Sequence, residues 1–166
     1  MKTRIVGILF ICIILIALPL AASPRRAQGF ALLNRNNQLV TLSALMKKGN
    51  VIVSFWATYC VPCKREMPEL SKLAAAYRDR KRVGVLFVSI DKEGKSVAQP
   101  FLDALNIADE CVFDIYQETA KRYIPSLKVP AVFLVNEKGM IVFEAVGETP
   151  ETLRRLEDAI KLLPDR

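Results

Sequence analysis

Two cysteines three positions apart, Cys60 and Cys63, lie in the stretch WATYCVPC at residues 56–63. A pair at this spacing can exchange disulfides, because a thiolate attacks one sulfur of a disulfide and forms a mixed disulfide. We expect Cys60, at the start of the turn, to be exposed and to attack the partner. Cys63, one turn further on and more buried, would then resolve the mixed disulfide. Val61 and Pro62 stiffen the loop between them.

The pair has three other possible uses. A structural zinc site needs four ligands, and the chain has no histidine and no second CxxC motif. A purely structural disulfide across so short a loop would restrict the unfolded chain little. Two unreactive core cysteines are the third alternative. We favour redox exchange because of the elements that flank the pair.

The cysteines follow a strand pattern and open a helix pattern. Residues 51–55, VIVSF, are mostly β-branched or aromatic and predict a strand buried on both faces. Apolar side chains at spacings of three and four predict a helix over residues 61–78, kinked at Pro68. Unpaired N–H groups and the positive end of the helix dipole stabilise a thiolate at such a junction. We therefore expect the pKa of Cys60 to lie below the ~8.5 of a free thiol.

The remaining patterns alternate between strand and helix. Gly139 takes the tight position of an NEKG hairpin, and Thr149 and Pro150 suggest the N-cap and first residue of a last helix. Strand, helix, strand, helix, hairpin and closing helix imply an α/β fold, with a mixed central sheet and helices on both faces. Further strands are predicted at residues 30–33, 39–41, 83–90, 111–113, 131–135 and 140–145, and further helical segments at 42–49, 96–105, 117–123 and 149–163.

The N-terminus carries an uncharged apolar run of 18 residues, 5–22, behind a short basic start. Signal-peptide cores usually span ~7–15 residues and membrane helices need ~20, so length leaves both open. Ala21-Ala22-Ser23 offers small residues for a signal peptidase, but Pro24 and Arg25 follow at once, and these poor flanks slightly favour a retained anchor. The chain then divides into a signal peptide or membrane anchor (1–22), a linker (23–29) and one domain (30–166).

The formal net charge is +7, from 24 basic and 17 acidic residues. Two of the basic residues lie in residues 1–22, so the remainder carries +5. Basic and acidic residues are intermixed along the domain, and we expect a solvated surface of mixed charge. No nucleic-acid partner is predicted, because no basic stripe is interleaved with aromatic residues.

Three segments together resemble the thioredoxin-fold proteins of the TlpA/ResA type, which are exported or membrane-tethered thiol-disulfide oxidoreductases of bacteria. The segments are SFWATYCVPCKREMPEL, KVPAVFLV and NEKGMIV, and the resemblance spans about residues 30–163. It implies a thioredoxin-like fold, no cofactor or metal, and a place in the periplasm, at the inner membrane if residues 5–22 are uncleaved. The implied partners are proteins bearing disulfides or thiols and an upstream membrane thiol reductant.

The resemblance also suggests roles beyond the cysteines. Pro130 matches a cis-proline opposite the cysteines, and Val129 before it would offer backbone groups to a substrate strand. Glu66 matches a glutamate that tunes proton transfer to the thiols, although it could be a solvated surface acid instead. Trp56 matches a tryptophan beneath the active-site loop. We place it with the substrate-binding residues, but packing against the disulfide is the favoured task.

Two positions need separate expectations. Thioredoxins proper carry a buried acid in the strand before the motif, where this chain has Ser54, so Glu66 or water becomes more important to the proton relay. Cys111 has no predicted partner. It is either a small core residue or an accessible thiol able to form a further disulfide or a dimer.

The leading hypothesis is a reductant of specific protein disulfides outside the cytoplasm, such as apocytochrome c cysteines or copper-site thiols. A peroxidase of the related peroxiredoxin type is less favoured. It would need a threonine and a proline where the chain has Ala57 and Val53. The third hypothesis is a non-catalytic binding module or metallochaperone. Copper delivery usually recruits a histidine, which this chain lacks.

Overall fold

A computed structural model describes residues 25–165. The predicted signal peptide or anchor, residues 1–22, and the first two linker residues lie outside the described residues. Within residues 25–165, no helix combines the length and the apolar character that crossing a bilayer requires. The elements follow the chain as β1 (Ala31–Leu33), β2 (Leu39–Thr41), α1 (Leu42–Met46), β3 (Asn50–Trp56), α2 (Val61–Lys81), β4 (Val83–Ser89), α3 (Lys95–Ala104), β5 (Glu110–Phe113), α4 (Glu118–Tyr123), β6 (Ala131–Val135), β7 (Ile141–Val146) and α5 (Thr152–Lys161).

A mixed sheet of five strands, in the order β5-β4-β3-β6-β7, forms the centre of the domain. β3, β4 and β5 run parallel, whereas β6 is antiparallel to β3 and β7 is antiparallel to β6. β1 and β2 form a separate antiparallel pair. The central strand β3 is buried along its whole length, while the edge strand β7 alternates in burial. β3 is therefore covered on both faces of the sheet, and β7 on one face only.

Helices cover both faces of this sheet. Phe55 and Trp56 are successive residues of β3, so their side chains point to opposite faces. The Phe55 ring meets Tyr123 of α4 at a centroid distance of 5.3 Å, and the Trp56 ring stacks on Phe101 of α3 at 5.0 Å. The predicted α/β fold with a mixed sheet between helices is therefore confirmed.

The strand registers place the cysteine loop at one edge of the sheet. Trp56 pairs with Ser89, which pairs with Phe113, so β3, β4 and β5 end side by side. β6 begins at the same edge, because Phe55 pairs with Ala131. The loop after β3 therefore lies beside the loops that follow β4 and β5 and precede β6.

The last helix begins later than the sequence predicts. α5 starts at Thr152, and Glu151 rather than Thr149 is its N-cap. The Thr149 hydroxyl lies 2.8 Å from the Thr152 hydroxyl, and the Thr149 carbonyl accepts the Thr152 N–H in a turn. The predicted cap is wrong because the Thr149 side chain is engaged by another hydroxyl one turn before the helix.

The described part of the predicted linker is bound to the domain. The Arg25 carbonyl accepts the Ile141 N–H at 2.8 Å, and the Ala27 N–H donates to the Gly139 carbonyl at 2.8 Å. The Gln28 carbonyl accepts the Tyr123 hydroxyl at 2.6 Å. Residues 25, 27 and 28 of the predicted linker are therefore hydrogen-bonded to the domain.

A buried lysine joins the ends of α2 and α5. Lys81 is 5% exposed, and its ammonium donates to the carbonyls of Lys161 and Leu163 and pairs with Asp165 at 2.9 Å. The last carbonyls of a helix have no partner within the helix, so a cation at this position satisfies them and complements the helix dipole.

We expect Lys81→Met to lower the free energy of unfolding by about 2–3 kcal/mol, because it removes charge-assisted hydrogen bonds to buried carbonyls. Urea unfolding of the oxidised protein measures this change. Lys72→Met is the matched control: Lys72 lies on the same helix in an exposed pair with Glu69 and should cost under about 1 kcal/mol. Equal effects of the two substitutions would contradict the role of Lys81.

Candidate active site

Cys60 caps the helix that follows β3. Its backbone is extended, its sulfur accepts the Cys63 N–H at 3.3 Å, and Pro62 lies in the first turn. The two sulfurs form a disulfide of 2.04 Å. The sequence therefore places the pair correctly at the strand–helix junction. A negative charge that develops on the Cys60 sulfur would face free N–H groups and the positive end of the helix dipole.

The disulfide is less accessible than predicted. Cys60 is 5% exposed and Cys63 is 0% exposed, so the expectation of an exposed Cys60 is wrong for the oxidised state. Tyr59 and Val61, which flank Cys60, are more than half exposed and form an apolar rim. Cys60 is still the more accessible of the two, as its place at the helix start requires.

Sequence reasoning missed Asp91, which fixes the loop leading into Cys60. Its carboxylate accepts the Thr58 N–H at 3.1 Å and the Thr58 hydroxyl at 2.7 Å, and it also accepts the Ser89 hydroxyl at 2.9 Å. Asp91 is 3% exposed. A signal was present in the sequence, since an aspartate directly follows the buried run VGVLFVSI, and the ends of adjacent parallel strands meet at one edge.

Trp56 and Cys111 belong to the core beneath this loop. Trp56 is 0% exposed, and its burial favours the packing task over contact with a substrate. Cys111 is also 0% exposed, and burial raises the pKa of its thiol to about 12, with the Trp56 indole opposing the rise. The alternative of an accessible third thiol at Cys111 is therefore wrong, and the core alternative is confirmed.

Val129 and Pro130 lie next to the end of β3. The peptide bond between them is cis, as the resemblance implied. The Pro130 carbonyl accepts the Gly147 N–H at 2.7 Å, which ties this segment to the end of β7. Within residues 25–165, no hydrogen bond uses the N–H or the C=O of Val129. Both groups are therefore available to an incoming strand.

Glu66 is a buried acid one turn beyond Cys63. It is 6% exposed, and its Oε2 has no hydrogen-bond partner among the described residues. Burial, followed by the negative charge of Glu148, raises the pKa of Glu66 to about 7. Arg65 holds Glu148 at 2.8 Å on the surface. The alternative of a solvated surface acid is wrong, and a carboxyl group with this pKa can both accept and donate a proton near neutrality.

Ser54 lies in β3 where thioredoxins proper carry an acid. It is 1% exposed, and its hydroxyl has no hydrogen-bond partner among the described residues. Buried acids near this cysteine pair thus come from α2, as Glu66, and from the loop after β4, as Asp91, rather than from the central strand. Across residues 25–165, no three side chains of Cys, Asp or Glu are grouped so as to hold a metal ion.

Residues 24–144 match the model of the AhpC/TSA family. The chain belongs to this family. It is 30% identical over 145 residues to the thiol-disulfide oxidoreductase ResA of Halalkalibacterium halodurans, covering 87% of this chain and 78% of the relative. It is 31% identical over 128 residues to ResA of Bacillus subtilis, and this match covers 76% of this chain and 69% of the relative.

Solved structures agree with this assignment. A putative thiol:disulfide interchange protein DsbE from Chlorobium tepidum superposes with a TM-score of 0.74 and 28% identity, over 83% of this chain and 94% of that one. The thioredoxin domain of a Bacteroides vulgatus thiol-disulfide oxidoreductase superposes with a TM-score of 0.71 and 20% identity, over 84% of this chain and 98% of that one. At this identity the likeness supports the fold alone. The protein is thus a thiol-disulfide oxidoreductase of the ResA type with a thioredoxin-like fold and a Cys60–Cys63 pair.

The raised pKa of Glu66 predicts a pH dependence of stability. The folded state holds the Glu66 proton more tightly than the unfolded state, so this contribution is fully present below pH 4.5 and is lost as the pH rises through about 7. Relative to Glu66→Gln, the oxidised wild type should lose about 3 kcal/mol of unfolding free energy across this window. Urea unfolding at a series of pH values measures the difference.

Glu69→Gln is the control, since Glu69 is exposed on the same helix and pairs with Lys72. It should leave the pH dependence of the wild type unchanged. A Glu66→Gln variant whose stability follows pH as the wild type does would show that the Glu66 carboxyl ionises normally.

Proposed function

We propose that this oxidoreductase reduces specific protein disulfides outside the cytoplasm, attached to the inner membrane through residues 5–22. Its targets would be of the cytochrome c maturation or copper-site assembly type. The observation that carries the proposal is the Cys60 sulfur at the start of α2. The helix start stabilises a Cys60 thiolate. The nearby backbone N–H and C=O of Val129 have no partner among residues 25–165 and can pair with an extended peptide.

The first step joins the enzyme to its target. In the reduced enzyme, the Cys60 thiolate attacks one sulfur of the target disulfide. A Cys60–target disulfide forms, the target disulfide breaks, and the second target sulfur leaves as a thiolate. The target strand would be held by pairing with the Val129 N–H and C=O, while the apolar rim of Tyr59 and Val61 packs against its side chains.

The second step releases the target. The Cys63 thiol gives its proton to the Glu66 carboxylate, and the resulting thiolate attacks the Cys60 sulfur. The Cys60–Cys63 disulfide forms, the mixed disulfide breaks, and the target sulfur that Cys60 had attacked leaves as a thiolate. Glu66 suits this exchange because its pKa of about 7 lies near the working pH. Two electrons have then passed from the enzyme to the target.

An upstream thiol reductant in the membrane would restore the dithiol by the reverse exchange. Net direction depends on the difference in reduction potential between the partners, and about 30 mV corresponds to about 1.4 kcal/mol for a two-electron couple. The low exposure of the disulfide favours a dedicated reductant that docks on the site over small thiols in solution.

The family match raises a peroxidase as a second candidate. A peroxiredoxin needs a threonine hydroxyl three residues before its attacking cysteine, and this position is Ala57, which is fully buried and has no polar side chain. Steady-state peroxide consumption far above the rate of a free thiol would favour this candidate over disulfide reduction.

We expect the Cys63→Ser variant to accumulate mixed disulfides, because Cys60 can still attack but no thiol resolves the product. Expression in a bacterium, non-reducing electrophoresis and mass spectrometry would identify the captured protein and its cysteine. Cys60→Ser should capture none. Cys111→Ser introduced beside Cys63→Ser should leave capture unchanged, since Cys111 is buried.

The trap also discriminates against a binding module. If Cys63→Ser captures no protein while the wild type still binds a partner tightly, the fold serves as a docking surface and the redox proposal is wrong. N-terminal sequencing of the exported protein tests whether residues 5–22 are retained.

A further inference from the structure

The edge of the sheet opposite Cys60 is a distinct surface. Asn50 pairs with Val83, so β3 and β4 begin side by side, and Val135 at the end of β6 pairs with Val51 and with Ile141. The end of α1, the end of α2 and the β6–β7 hairpin therefore meet here. We call this surface the basic end, and its charged side chains are Arg26, Lys47, Lys48, Arg78, Asp79, Arg80, Lys81, Arg82, Glu137, Lys138 and Asp165.

The positive charge of the domain is concentrated at the basic end. Eight cations and three carboxylates there leave a net charge of +5. Residues 25–165 contain 21 cations and 17 carboxylates. The part of the domain outside the basic end therefore has 13 cations and 14 carboxylates, a net charge of −1. The sequence suggested a surface of intermixed charge. The fold separates the charges because the basic residues cluster where three elements end at the same edge.

Two open clefts bring these cations close together. One, of about 270 Å³, is lined by Arg80, Arg82 and Lys138, and the other, of about 420 Å³, by Lys48, Arg78 and Arg82. Neither cleft includes a residue of the cysteine loop. Asp165 pairs with the buried Lys81 and Glu137 pairs with Arg82. The other cations form no ion pair with a described residue and are solvent-exposed: Arg26, Lys47, Lys48, Arg78, Arg80 and Lys138.

The first described residues lie beside the β6–β7 hairpin, next to the basic end. Arg25 is hydrogen-bonded to Ile141 at the start of β7, and Arg26 bridges Met140. Only Ser23 and Pro24 separate Arg25 from the uncharged apolar run at residues 5–22. If that run is held in a bilayer, these two residues keep Arg25 within roughly 10 Å of the headgroups. From residue 27 back to residue 25 the backbone runs along β7 toward the Cys60 edge, so charge selects the face that meets the membrane: the basic end carries +5 and the rest of the domain −1.

We propose that the basic end docks on anionic phospholipid headgroups and holds the domain with Cys60 pointing away from the membrane. The proposal rests on the membrane attachment in the proposed function but not on its thiol chemistry. Clustered Lys and Arg beside a membrane-embedded segment bind anionic lipid surfaces, and the two clefts give headgroup phosphates room between cationic side chains.

This orientation sets a reach for the partners. β3 has seven residues from the basic end to Trp56, which corresponds to roughly 20 Å of extended chain. Target cysteines and the thiols of a membrane reductant must therefore meet Cys60 at about this height above the headgroups. Thiols lying flush with the bilayer surface are out of reach while the domain is docked.

The test uses the full chain with vesicles of phosphatidylcholine alone or with about 30 mol% phosphatidylglycerol. Flotation reports attachment, and lysine acylation read by mass spectrometry reports docking. Labelling of Lys48 and Lys138 should fall at least about fivefold on the anionic vesicles, since each basic side chain near such a surface contributes roughly that factor in affinity. Lys64 and Lys92, near Cys60, should be labelled equally on both. Salt at about 0.5 M should remove the protection.

Charge variants give the matched control. Lys48→Gln with Lys138→Gln should abolish protection of Lys47 on anionic vesicles, whereas Lys64→Gln with Lys92→Gln should leave it intact. Flotation on both vesicle types without lysine protection overturns docking but leaves attachment standing. Flotation on anionic vesicles alone, with protection, supports docking and contradicts attachment through residues 5–22. No flotation on either overturns both.

Discussion

The structure of the active site depends on one contact, the hydrogen bond from the Cys63 N–H to the Cys60 sulfur at the first turn of α2. This contact places the sulfur where a helix has unpaired donors and the positive end of its dipole. It also separates the roles of the two cysteines, since Cys60 lies at the rim and Cys63 lies inside the first turn. A sulfur one turn further along the helix would lie beyond the unpaired N–H donors and away from the rim.

Other elements hold this junction in place and complete its chemistry. Asp91, after β4, clamps Thr58 in the loop before Cys60, and Pro130, before β6, brings an unpaired backbone segment alongside. Glu66 on α2 is a buried acid, whereas Ser54 is buried in the central strand at the position where thioredoxins proper carry an acid. The opposite end of the sheet collects the positive charge of the domain. The five-stranded sheet thus carries the cysteine pair at one edge and the basic end at the opposite edge.

Much of this was predictable because the informative signals are local. The CxxC motif, the β-branched run before it and the helical periodicity after it placed both cysteines, and the hairpin glycine at Gly139 has the expected positive φ of 77°. What failed depends on contacts distant in sequence. Thr149 is not a cap because another hydroxyl engages it, and Asp91 acts on a loop 33 residues away. The clustering of Lys48 with Arg82 required knowing which strand ends are neighbours.

The most direct test of the central contact is the ionisation of Cys60 in the reduced protein. The pH dependence of its alkylation rate, measured in the Cys63→Ser variant, gives the pKa of Cys60 alone, because the buried Cys111 ionises only near pH 12. A helix N-terminus that supports the thiolate predicts a pKa clearly below the ~8.5 of a free thiol. A Cys60 pKa of about 8.5 or above would show that the helix does not activate this sulfur, and would contradict the account.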